Sequence, residues 1–406
     1  LLNINRKVLE SNYDIENHPL YNYLNHNMDV MIVHIMMQIN RHVLESKYDI
    51  IKHPLIICLR NIALSLYNKI LYDESIINLI QMLLTINIPV LNHQYSIIDH
   101  PLYVYLDNME NKSIGKNSIL EILLDTNTDV LRQDHNIDNN ILCMYLKKFK
   151  QFNMMIVNRM KDLTNNVLIR PHNINDNPLI FYLKNQKHTF DIDIKFFIDI
   201  NNDVLYNSNY TFDEHPLIIF LDNYMNETIY NCLFSKTNKN DHDKCIYIIN
   251  TLKNINVKIL ESNTDIDKNP LVSYLKSPFN NHANIHGNKS DVINILKDIN
   301  RAIVEDNIDI NNNPLYIYLN NKGSNIRVID MLKVINTKAL KNISRDLPLY
   351  SVIKKILEMN NVNQPFKVST RSVNSSVTPK IGSRHWIKYL KYKKKYLGLK
   401  RQLLFL

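Results

Sequence analysis

The chain has 406 residues, 45% of them apolar, and a formal net charge of +9. Its apolar runs are too short to span a bilayer, and five glycines leave little material for a phosphate-cradling loop. Residues 361–406 hold eleven Lys or Arg and no acidic residue, which leaves 37 basic against 39 acidic residues in 1–360, so any attraction to nucleic acid or membrane belongs to that tail.

From the N-terminus the chain rewrites one short phrase. Residues 18–24 read HPLYNYL, and HPLIICL, HPLYVYL, NPLIFYL, HPLIIFL, NPLVSYL and NPLYIYL follow. The anchoring prolines are Pro19, Pro54, Pro101, Pro178, Pro216, Pro270, Pro314 and Pro348, and NNILCMYL is a degraded copy with Ile141 in the proline position. Spacings run from 34 to 54 residues, as expected of one supersecondary unit with loop insertions. Leu1 already lies inside this pattern, so the chain is expected to be a fragment, and a targeting signal upstream of it stays open.

Each unit reads as two helices. His or Asn before Pro is a helix start, because the polar side chain caps free N–H groups and Pro suits the first turn. Leu, Tyr and Leu at one, four and five residues past Pro share one face. A second helix follows, as in 29–39, 75–86, 118–126 and 291–299, and each is followed by or ends at an Asn suited to a left-handed cap (Asn40, Asn87, Asn127, Asn300). Two short helices cannot bury their apolar faces alone, so the units are expected to stack. The fold class is therefore all-α, an α-solenoid of helix-turn-helix repeats with a basic C-terminal helix. The expected organisation is a repeat array over 1–362, a linker over 363–385 and a basic aromatic helix over 386–406.

The unit resembles the ankyrin repeat of poxviruses and other large DNA viruses: HPLY stands for the phrase that opens the inner helix, and TNTDVL (126–131) for the turn after the outer one. That resemblance implies a protein-recognition scaffold. The chain departs from the pattern in lacking an Asp-x-x-Gly turn, which puts the usual β-hairpin finger in doubt. It also carries Tyr where a small Ala is usual (Tyr23, Tyr105, Tyr145, Tyr182, Tyr274, Tyr318), which implies wider helix spacing.

Candidate chemistry is sparse. The cap histidines (His18, His53, His100, His215) alternate with Asn140, Asn177, Asn269 and Asn313, so their role has to tolerate Asn, as a cap does and a zinc ligand or general base does not. Cys232, His242 and Cys245 lie in or beside the longest insertion without a fourth ligand, and the four cysteines lack framework spacing, which fits reduced thiols. No nucleophile elbow or HExxH motif occurs, and the expectation is no enzyme, no cofactor and no metal.

The variable parts point to partners. Segments 60–74, 107–117, 222–243 and 276–290 are long, and insertions confined to one point of a repeat fall on one side of a stack. The residue after each Tyr-Leu phrase begins that side: Asn25, Arg60, Asp107, Lys147, Lys184, Asp222, Lys276 and Asn320, whose mixed charge favours a protein partner, host or viral. DLPLYSVIKKILEMNN (346–361) resembles the opening of the F-box-like segment of poxviral ankyrin proteins, which implies ubiquitin-ligase docking through Leu347 and Pro348; a truncated capping repeat accounts for the same residues. KYLKYKKKYLGLK (388–400) resembles a terminal segment of giant-virus proteins. Its Lys388, Lys391, Lys393, Lys394, Lys395, Lys400 and Arg401, beside Trp386 and three tyrosines, suit nucleic acid or an anionic membrane surface. The chain is expected to be monomeric, and host-cytoplasmic or virus-associated.

Overall fold

The computed structural model describes residues 11–67, 73–109, 117–149, 152–185, 194–224, 239–277, 289–321 and 323–360. Among these residues every regular element is a helix, and no strand occurs. The chain divides into two compact units, Leu1–Asn223 and Tyr224–Leu406.

In the first unit the helices opening at the repeated phrase are Pro19–Leu24, Pro54–Tyr67, Pro101–Asn108, Ile141–Lys148, Pro178–Asn185 and Pro216–Tyr224. The first five pack one on the next in chain order, and the second helices Val30–Met36, Asp73–Leu84, Asn117–Leu124 and Met154–Leu168 do the same beside them. In the second unit Pro270–Lys276 packs on Pro314–Asn320, and Lys239–Leu252, Lys289–Leu296 and Ile326–Leu332 form the matching row. The predicted apolar triad is the core of both: Leu20, Leu102, Leu142, Leu179 and Leu315 have no exposed surface, and Tyr105, Tyr145 and Tyr182 are among the largest buried side chains.

Each repeat holds more than the two helices read from its sequence. Asn40, Asn87, Asn127 and Asn300 adopt the left-handed backbone expected of them, and Asn256 and Asn336 join them. None ends the unit. Each starts a short third helix, such as Arg41–Leu44, Ile88–Leu91 and Thr128–Leu131, whose Val-Leu pair (Val43 and Leu44, Val90 and Leu91) is buried. A 3-10 turn, as at Ile50–Lys52 and Ile97–Asp99, then leads into the next cap. Where an ankyrin finger was in doubt, a helical turn and a 3-10 turn stand instead.

Asparagine ties the repeats together at two levels. Asn87 Nδ2 donates to the carbonyls of Leu44 (3.2 Å) and Ser46 (2.6 Å), Asn127 to Leu91 and His93, and Asn300 to Asn263, each bond running to the preceding repeat. A second row lies seven residues past the proline position. There Asn61, Asn185, Asn223 and Asn321 donate to the carbonyls of Leu24, Leu146, Leu183 and Leu275, at the end of the preceding first helix. Carbonyls in a helix's last turn have no intrahelical partner, so each bond satisfies an acceptor that packing would otherwise bury unpaired.

Two of the tyrosines four residues past the proline position also make a bond across the next turn. Tyr145 Oη accepts the backbone N–H of Asn153 (3.2 Å), and Tyr318 Oη that of Asn325 (3.1 Å). Both asparagines cap the following second helix, so the phenol closes the interhelical turn from inside. Gly323 lies against the Tyr318 ring, where an added Cβ would stand 2.4 Å from Cζ.

Candidate interaction surface

The caps come first because they position everything downstream. In His53 the Nδ1 accepts the N–H of Leu55 (3.1 Å), and Nε2 donates to the carbonyl of Ile86 (2.8 Å), just before the left-handed Asn87. His18 bonds Leu20 and Ile39 in the same way, and His100 bonds Leu102 and Thr126. One side chain thus starts the first helix and fastens it to the end of the second. Both ring nitrogens are committed in these three, which leaves no lone pair for a metal or a proton acceptor role. Burial pushes His53 and His100 down to about 4, opposed only in part by their carbonyl bonds, so the rings are neutral.

The asparagine caps keep the first function. Asn140 Oδ1 accepts the N–H groups of Leu142 and Cys143, and Asn177 Oδ1 that of Leu179. Asn269 and Asn313 also reach across, to the carbonyls of Ile299 (3.1 Å) and Asn336 (3.2 Å).

Each of the two units presents a row of exposed side chains. All eight residues singled out after the Tyr-Leu phrase, namely Asn25, Arg60, Asp107, Lys147, Lys184, Asp222, Lys276 and Asn320, are exposed, and four of them (Arg60, Lys184, Asp222 and Asn320) stand one residue before an asparagine tie. Several are held by the turn before their own helix or by the next repeat. The Lys147 ammonium sits 4.2 Å from the Phe181 ring centroid, and Lys184 Nζ donates to Asn175 Oδ1 (3.1 Å). Lys276 bridges Asp267 (2.5 Å) and Asn312 (2.6 Å). Burial and then Asp213 raise the Asp222 carboxyl; burial and then Asp49 raise that of Asp99, with Arg60 opposing.

Two sequence expectations change here. Arg60 does not open a loop: its helix continues to Tyr67, so 60–67 of the expected interhelical segment extends the first helix. Pro348, in phase with the repeats by spacing, does not start a helix as the others do. It is exposed in a turn two residues before the helix Tyr350–Asn360, with Leu347 half-buried beside it and no polar cap ahead of it. Cys58, Cys143 and Cys245 are buried, and burial raises the Cys58 thiol to about 12, well away from a reactive thiolate. Among the described residues no group of three or more His, Cys, Asp or Glu is placed to hold a metal ion, and no helix is long and apolar enough to cross a membrane. Cys232 and the seven basic tail residues from Lys388 to Arg401 lie outside the described residues.

Sequence reading missed the second bond that five of the caps make, and the third helix. A signal was present: wherever His is the cap, Tyr stands five residues earlier (Tyr13, Tyr48, Tyr95, Tyr210), and where His stands five earlier the cap is Asn140 or Asn177. No family model, curated protein or solved structure matches this chain, so the ankyrin resemblance rests on the repeated phrase itself.

Proposed function

We propose that this chain is a non-enzymatic, ankyrin-like interaction scaffold of a large DNA virus, a solenoid that captures a host or viral protein along the edge formed by the residues after each Tyr-Leu phrase. The observation that carries this reading is a division of labour within the repeat. Residues at the cap, one, four and five past the proline position are spent on capping and core, and the seventh is an inter-repeat asparagine tie in four repeats. The exposed position between the last two changes freely among Asn, Arg, Asp and Lys. Surface that varies more freely than the support beneath it is what recognition by a repeat array requires.

The test is affinity capture from host-cell lysate with residues 1–406 and 1–361, each with and without nuclease. A protein recovered equally by both and insensitive to nuclease supports the repeat edge. Loss of recovery without the tail, or on nuclease treatment, replaces this reading with a nucleic-acid or membrane-surface binder acting through 386–406. The departure of Pro348 from the repeat register favours a second reading, a ubiquitin-ligase adaptor docking through Leu347 and Pro348. That reading requires ligase subunits in the captured set and their loss in a Leu347→Ala, Pro348→Ala variant.

A further inference from the structure

The pairing of cap and preceding aromatic has a consequence in two repeats of the first unit. In the Tyr and His pairs the two rings lie tilted at 40–48° to each other with centroids 6.1–6.2 Å apart. The phenols of Tyr48 and Tyr95 donate to the carbonyls of Leu44 and Leu91 (2.8 and 3.0 Å), so every polar atom between the rings has a partner. In His135 with Asn140, and His172 with Asn177, both side chains are shorter than the ones they replace, and the bonds do not close. Asn140 Nδ2, Asn177 Nδ2, His135 Nε2 and His172 Nε2 are all buried without a hydrogen-bond partner, although Asn140 and Asn177 have no exposed surface.

The donor and acceptor roles are fixed by the other atoms. Nδ1 of His135 bonds the Gln133 carbonyl and Nδ1 of His172 the Arg170 carbonyl, both at 2.8 Å, so each Nδ1 carries the hydrogen and each Nε2 is a bare acceptor. The amides cannot be reversed, because their Oδ1 atoms accept helix N–H groups. Each of the two repeats therefore buries an unpartnered amide donor and, five residues before it in the chain, an unpartnered imidazole acceptor. Two such groups left buried and unmatched would cost about 1–3 kcal/mol each, twice over in one unit.

We propose that each pair holds one buried water molecule, which accepts from the asparagine Nδ2–H and donates to the histidine Nε2. Its second hydrogen serves the carbonyl before the next repeat step, which His53 and His100 reach directly in their own repeats and which by register is that of Leu163 or Ile200. Three hydrogen bonds are the usual complement of an internal water. The exchange of Tyr and His for His and Asn is then a substitution of solvent for side chain at an unchanged helix start.

A crystal structure of the full chain tests this, alone and as the Asn140→His variant. The expected result is an ordered water about 3 Å from both His135 Nε2 and Asn140 Nδ2, and another between His172 and Asn177. In Asn140→His the longer side chain should displace the first water and leave the second in place. A direct bond between the two side chains in either pair, density for no water at either, or a first water that survives Asn140→His would overturn the proposal.

Discussion

The described caps of the second unit are asparagines, Asn269 and Asn313, whereas the first unit opens with three histidines, His18, His53 and His100. Both residue types begin the same helix after the same turn, so capping does not separate the two regions. Reach does. Imidazole Nε2 meets the far carbonyl at 2.6–2.8 Å, and the carboxamide meets its equivalent at 3.1–3.2 Å. The histidine version gains a firmer tie between the first and second helix, and takes on a group that titrates.

That titration gives the largest expected effect. His53 and His100 have folded values of about 4 against an ordinary 6.5, so the folded form resists the proton that the unfolded chain accepts. Their contribution is complete above pH 6.5, declines as pH falls below it, and is lost by about pH 4. At pH 5 each site costs about 2 kcal/mol, and about 3 kcal/mol once the window is crossed. Two such sites are a large share of a domain's usual 5–15 kcal/mol. Hydrogen exchange at pH 7 and pH 5, corrected for the intrinsic rate, should show repeats 50–108 opening while repeats 266–336 keep their protection. Equal loss in both regions would erase the distinction drawn between the caps.

The same distinction can be moved from one chemistry to the other by substitution. His53→Leu strands the Leu55 N–H and the Ile86 carbonyl in a buried site and is expected to cost about 2–4 kcal/mol in urea unfolding. His53→Asn keeps the cap and weakens the tie, so its cost should be about 1–2 kcal/mol and its acid sensitivity should shrink. In the second unit a comparable loss comes from packing: Gly323→Ala places a methyl group into the Tyr318 ring and should cost about 1–3 kcal/mol, leaving the first unit's transition unchanged.

The repeats, the cap role of His and Asn, and the left-handed Asn40, Asn87, Asn127 and Asn300 were legible because each follows from a local rule. Capping geometry is set by residues within a turn of one another, and apolar spacing by the helix period. What stayed hidden depends on the neighbouring repeat. Nothing local says that the Asn seven residues past the proline donates backwards to Leu146 or Leu183, or that Tyr145 Oη receives an N–H from Asn153 eight residues on. The chain carries 61 asparagines, and the two rows of ties give several of them a bond to make. The exposed edge was legible only as a register position.

That edge carries the smallest expected effect on stability and the sharpest on function. Asp107 and Asn320 project from helix ends, and Lys276 makes an exposed pair with Asp267, an arrangement worth under about 1 kcal/mol. Asp107→Ala, Lys276→Ala and Asn320→Ala should therefore each shift the urea midpoint by no more than about 0.5–1 kcal/mol in free energy. Replacing the neighbouring ties should cost more: Asn185→Ala leaves the Leu146 and Lys147 carbonyls without their inter-repeat donor, and Asn321→Ala does so for Leu275. If the edge is the recognition surface, capture of the partner falls in the Asp107, Lys276 and Asn320 variants while their unfolding stays near wild type. Partner capture that instead follows the stability of the tie variants would make the edge a support like the rest of the repeat, and the recognition surface would have to be sought off it.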